Sequence, residues 1–147
     1  MAMNSAWLIW ALFSALFAGL TAVLAKIGVT GVNSNLATAI RTSVILIFAW
    51  GIAFTMTRPA AMLDLSRRTW LFLVLSGLAT GLSWLCYFRA LQLGEASRVA
   101  PVDKLSVVFV LVLAAIFLGE PLTLKTVLGG ALIVAGAVVL AWPSANH

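Results

Sequence analysis

Five apolar runs of about twenty residues, parted by short polar breaks, constrain this chain more than any other feature. Crossing about 30 Å of hydrocarbon takes about 20 apolar residues at about 1.5 Å each, and a helix is the single-segment structure that satisfies its own backbone there. The runs predict helices over about 7–29, 36–56, 70–93, 98–118 and 124–142. Gly31, Asn33 and Ser34 break the first from the second, and Arg58 and Pro59 close the second. Gly94 stops the third, and Gly119-Glu120-Pro121 ends the fourth. Pro101 is expected in the first turn of the fourth helix, where a missing N–H costs little. Thr123 is expected to cap the fifth, which runs to Trp142 and Pro143.

Composition rules out a water-soluble alternative. Hydrophobic residues make up 63% of the chain and charged residues 9%, against roughly a quarter charged in a soluble domain. Most residues would have to lie inside such a core, so the solvent is the lipid bilayer. The fold class that follows is an all-α membrane protein, a bundle of five transmembrane helices in one domain over residues 1–147.

The net charge of +5 invites a nucleic-acid reading, which the arrangement excludes. Binders of nucleic acid gather Lys and Arg on a solvated face, whereas these basic residues stand one or two at a time among apolar runs. Cys86 is the sole cysteine, so no intrachain disulfide forms; in its apolar stretch it reads as a small packed residue. The N-terminus lacks the basic segment of a secretory signal and is expected to remain as the first helix.

Trp7, Trp10, Trp70 and Trp142 fall near predicted helix ends, as an interfacial aromatic belt requires, while Trp50 and Trp84 lie deeper. Small residues recur at helical spacing: Ala15, Gly19 and Ala22 on the first helix, Gly77 and Gly81 on the third, Gly129 and Gly136 on the fifth. Such pairs let backbones approach closely and predict a tight bundle. With short connections, consecutive helices are antiparallel, and an odd number puts the termini on opposite sides. The N-terminal side then carries Arg58, Arg67, Arg68 and Lys125, and the other carries Arg98 with Lys26, Arg41, Arg89 and Lys104. Four against five is a weak bias, which permits insertion in both orientations.

The basic residues inside predicted helices are the most informative for function. Each costs about 2.5–3.5 kcal/mol at a helix centre on insertion scales, and less near an end. Arg41 lies roughly 8 Å inside the second helix, and Lys104 about one turn beyond Pro101. Lys26 and Arg89 lie within about one turn of their helix ends. Asp103 is the acidic residue at comparable depth. Snorkelling to headgroups is one explanation of the four cations, and a structural ion pair of Asp103 with Arg41 or Lys104 is another. Neither accounts for the surplus of positive charge in one half of the bundle, which a polar vestibule attracting anions does. Trp84 and Tyr87 would wall it, with Ser83 and Gln92 as hydrogen-bonding groups; packing within the bundle is the competing role for each. The candidate substrate-binding residues are therefore Arg41, Lys104, Asp103, Arg89, Lys26, Trp84 and Tyr87. No catalytic constellation can be assembled: the lone His147 is the last residue, and no metal-ligand cluster or cofactor signature is present. Asp64 and Glu120 read as solvated loop charges.

The stretch Tyr87-Phe-Arg-Ala-Leu-Gln-Leu-Gly-Glu-Ala-Ser-Arg-Val-Ala-Pro101, the turn Leu118-Gly-Glu-Pro-Leu-Thr123 and the glycine-rich Gly129-Gly-Ala-Leu-Ile-Val-Ala-Gly136 resemble the EamA domain of the drug/metabolite transporter superfamily. The resemblance covers nearly the whole chain as one five-helix repeat. Most such transporters resemble two repeats fused in opposite orientations, so a single repeat implies that two copies pair as a homodimer, parallel or antiparallel. The fold implies a path lined by the first, third and fourth helices. The related small multidrug pumps place an essential Glu in the first helix eight residues before a Lys; counting back from Lys26 reaches Ala18, so their mechanism does not carry over. The expectation is a prokaryotic inner-membrane transporter subunit that moves a small polar or anionic metabolite by alternating access. Export of amino acids or neutral solutes, and a non-transporting membrane partner subunit, stand beside it as alternatives.

Overall fold

The computed structural model describes residues 6–58, 61 and 64–142, so the expectations for Pro59, Pro143 and His147 lie outside the described residues. Among the described residues the secondary structure is helical: α1 (Ala6–Val29), α2 (Ser34–Met56), α3 (Arg67–Leu93), α4 (Ala96–Asp103), α5 (Ser106–Leu113), a π-helical turn (Ala114–Leu118) and α6 (Leu124–Ala141). Five spans are long and apolar enough to cross a membrane: α1, α2, α3, the continuous stretch Ala96–Leu118, and α6. The 18 residues of α6 give about 27 Å, close to the hydrocarbon thickness. Side chains along these spans stay open, Ile47 at 74% and Leu132 at 73% exposure, as a surface solvated by lipid requires.

Local chemistry sets the helix ends. Gly31 takes the left-handed conformation at φ +75, which lets the chain reverse after Val29, and Val32 N–H returns to the Val29 carbonyl at 3.2 Å. Asn33 then caps α2, its Oδ1 accepting from Asn35 N–H at 2.9 Å. Ser66 opens α3 through its Oγ, which accepts from Thr69 N–H at 3.1 Å. Thr123 caps α6 as expected, accepting from Thr126 N–H at 3.2 Å.

The fourth span departs from the sequence expectation. It begins at Ala96, which places Pro101 in the interior of α4 rather than in its first turn. A proline there removes one i→i−4 bond and crowds the preceding turn. Three residues on, the helix tightens: Lys104 N–H bonds the Pro101 carbonyl at 3.1 Å, and Leu105 N–H the Val102 carbonyl at 3.0 Å. The same three-residue spacing continues through Val107 to Lys104 and Val108 to Leu105, a 3₁₀-like joint between α4 and α5. At its far end the span widens into the π-helical turn, closed by Gly119 at φ +68.

By contacts the chain divides into two compact units, Met1–Ile27 with Leu93–His147, and Gly28–Gln92. In the first, α6 packs against α4 and α5. Its buried positions are all small: Ala22, Ala25, Ala114, Gly130 and Ala137. The close approach falls at Gly130, where an added Cβ would stand 3.1 Å from Leu111 Cδ1. It does not fall at Gly129 or Gly136, nor at Gly19, Gly77 or Gly81, where an added Cβ would meet no other side chain or element within 4 Å. The glycines of the stripes expected to knit the bundle therefore face open space, whereas Ala22 of the first is buried. Gly130→Val should lower the thermal unfolding midpoint in detergent, by an overpacking cost of about 1–3 kcal/mol. Gly129→Ala and Gly136→Ala should leave it unchanged or raise it, because alanine is the better helix former.

The second unit, Gly28–Gln92, buries Val29, Ser34, Thr38, Phe88 and Leu91. Phe88 and Leu91 continue one face of α3 with Trp84 and Tyr87. Cys86 points away and is exposed, which corrects the expectation of a packed cysteine. The hydroxyls of α2 are satisfied within their own helix, Thr38 donating to the Ser34 carbonyl and Thr42 to the Thr38 carbonyl, both at 2.8 Å. This is the form in which lipid tolerates hydroxyls.

Candidate functional site

The seven candidate residues fall into two groups, one in each unit. In Gly28–Gln92 the centre is Arg41, about 10 Å inside α2 counted from Ser34. Its guanidinium carbon lies 4.4 Å from the centroid of the Trp84 ring and 5.4 Å from that of Phe88. Two aromatic faces on one side of α3 thus hold a cation within a span, the deep tryptophan finding its role as a platform. Among the described residues Arg41 makes no ion pair and no hydrogen bond. Ring faces hold the charge but supply no oxygen, so the N–H donors of the guanidinium stay available to an anion. Tyr87 lies on the same helix, between the two rings in sequence, and is half-buried. The other deep tryptophan, Trp50, stacks on Phe54 at 5.2 Å and belongs to packing.

Arg89 has a different setting. Its Nη1 donates to Gln92 Oε1 at 2.9 Å, and Gln92 Nε2 donates to the Val32 carbonyl in the α1–α2 turn. Arg89 therefore orients the amide that ties the end of α3 to that turn. Gln92, read from sequence as a polar cavity group, is occupied in the same tie, and Ser83 is exposed.

The second group lies in the other unit. Lys26 Nζ donates to the Gly94 carbonyl at 2.8 Å, reaching across 68 positions in sequence to hold the α3–α4 turn. No sequence pattern announces a carbonyl as its partner. Asp103 and Lys104 pair with each other, Nζ to Oδ2 at 3.3 Å, with side chains 37% and 57% exposed respectively. Adjacent residues of a regular helix point about 100° apart and do not face one another. The α4–α5 joint is what the pair straddles. Arg98, at the start of α4, pairs with Glu95 at 3.1 Å. Asp64 and Glu120 are exposed in loops.

The arrangement is two cationic positions inside membrane spans, one on an aromatic platform and one beside a carboxylate at a helix joint. Comparison with known proteins gives this a context: the sequence matches the EamA-like transporter family over residues 5–142. The chain belongs to the EamA-like transporter family. A Sinorhizobium protein described as an uncharacterized transporter in the cobO 3′ region is similar to it, 55% identical over 139 residues. That match covers 95% of this chain and 99% of the relative. No solved structure matches the chain. As an EamA-family protein it is a multi-pass membrane transporter and not an enzyme.

Proposed function

We propose that this EamA-family chain is one subunit of a dimeric inner-membrane transporter that moves a small polar or anionic metabolite by alternating access. Arg41 is the observation that carries the reading. A cation deep in a span costs about 2.5–3.5 kcal/mol to insert, whereas a cation–π contact returns about 0.5–2 kcal/mol. Its two rings leave Arg41 a net liability to the empty protein, and an arriving anion would offset it. Lys104 and the surplus of positive charge within the spans favour the same sign of substrate. The size of the Sinorhizobium relative, matched over nearly its whole length, supports a half-size subunit whose second wall comes from another copy.

Transport in reconstituted vesicles tests this. Vesicles holding the protein should take up at least one of lactate, succinate, glycerol 3-phosphate or inorganic phosphate saturably, above protein-free vesicles. Uptake confined to neutral amino acids would replace the anion reading with the exporter alternative. A folded protein that moves no solute would make it a partner subunit.

A further inference from the structure

We propose that Asp103 is the proton-carrying group of this transporter, its carboxylate exchanging the Lys104 ammonium for a proton when an anion binds Lys104. The inference rests on the transport reading above and adds the coupling ion and the residue that bears it.

Three observations converge on Asp103. It is the one carboxylate within a membrane-spanning helix among the four acidic residues of the chain, since Asp64 and Glu120 lie in loops and Glu95 precedes α4. Its partner is the adjacent Lys104 at 3.3 Å. Both stand where the fourth span changes from α4 to α5 through bonds of three-residue spacing. Asp103 is seven residues beyond Ala96, about 10 Å into the span. Intramembrane acids in such surroundings are characteristic of ion and proton paths.

Among the described residues of this unit, no other charge is seen to compete for the carboxylate. α6, packed against α4 and α5, carries one titratable side chain, Lys125, in its first turn. α5 and the π-helical turn carry none. Arg98 is engaged by Glu95, and Lys26 of α1 by the Gly94 carbonyl.

The charge balance then dictates the order of events. With no solute bound, the carboxylate and the ammonium cancel. An anion that takes Lys104 alone leaves the carboxylate uncompensated within the span, and a proton that takes Asp103 alone leaves the ammonium uncompensated. When both bind, Asp103 becomes a neutral acid and Lys104 pairs with the anion, and the site is neutral again. For this pair, counted apart from Arg41 in the other unit, empty and fully loaded forms are thus favoured over both half-loaded ones in a low-dielectric setting. One proton travels with each anion, in the same direction.

Two measurements test this on the full-length protein. In lipid vesicles at constant pH, adding the panel anions should strengthen a protonated-carboxyl infrared band that Asp103→Asn removes and Asp103→Glu retains. In vesicles with the membrane potential held at zero, a pH gradient of one unit should raise the accumulation of whichever panel anion the wild type carries by about ten-fold. Asp103→Asn, monodisperse in detergent, should lose that dependence on the gradient, and Asp103→Glu should restore it. Absence of an anion-strengthened band in the wild-type minus Asp103→Asn difference overturns the proposal. So does an Asp103→Asn protein that still accumulates with the gradient. If the wild type carries none of the anions, the transport reading fails by itself, and the infrared difference alone decides the proton site.

Discussion

Arg41→Gln lowers anion uptake by about 30-fold or more while the protein still inserts and runs as a single species in detergent. The magnitude follows from removing one partner of a desolvated, hydrogen-bonded charge pair, which costs at least about 2 kcal/mol. The sparing of stability follows from the setting of the side chain. Gln gives up the contacts to Trp84 and Phe88, at 4.4 and 5.4 Å, but it also relieves the burden of a charge in the span, and the second effect is at least as large. Arg41→Lys separates charge from shape. It keeps the cation but loses the planar fork that stacks on a ring and presents paired donors, so uptake should fall less than with Gln, chiefly through a raised KM. Size-exclusion profiles and uptake kinetics on the same preparations check both. Normal uptake by Arg41→Gln removes Arg41 from the substrate path. Loss of insertion or monodispersity instead makes the Arg41–Trp84 contact structural.

Much of the fold is legible because the bilayer leaves few choices. Apolar length and backbone self-satisfaction place the spans; Gly31 and Asn33 are legible as breaks and Thr123 as a cap, while the left-handed turn at Gly31 and the cap at Asn33 are set by the folded backbone. The interior of the fourth span is less legible. Pro101 reads as a first-turn residue when the helix is started at Arg98, and as an interior one when it starts at Ala96, and a shift of this size lies within ordinary uncertainty about helix ends. The joint at Lys104 follows from that shift. The four cations within the spans are recognisable as a set in the sequence, but their partners are not. Lys26 finds a carbonyl and Arg89 a side-chain amide, contacts set by where turns come to lie. Gly130 rather than Gly129 meets Leu111, a difference of one residue that rotates the contact about 100° around α6.

Two populations of opposite orientation should coexist in the membrane, and a transporter should require one of each. A single five-helix repeat offers one wall of a cavity; an inverted copy would supply the other and present the same cationic positions to both sides, as alternating access requires. The Lys and Arg count permits this, with Arg58, Arg67, Arg68 and Lys125 on one side against Lys26, Arg41, Arg89, Arg98 and Lys104 on the other. Lys26 reaches the Gly94 carbonyl in the α3–α4 turn and Arg89 the Gln92 side chain in the last turn of α3, near enough to the span ends to weigh in the balance. A reporter active only in the cytoplasm and another active only outside should therefore both work when fused after Trp142. Adding two lysines there should draw the C-terminus inward and silence the external reporter. Changing Arg67 and Arg68 to Ser removes positive charge from the opposite side and should draw the C-terminus inward as well. Changing Arg98 and Lys104 to Gln should send it outward, but Lys104 lies in the proposed site, so the outward form is better made by adding lysines to the α2–α3 loop beside Arg67. Each fixed form alone should fail to transport, and co-expression of the two should restore uptake. That complementation separates the arrangements: a parallel dimer would leave one fixed form fully active by itself, and a C-terminus confined to one side in the native chain would leave the antiparallel dimer no route to assemble.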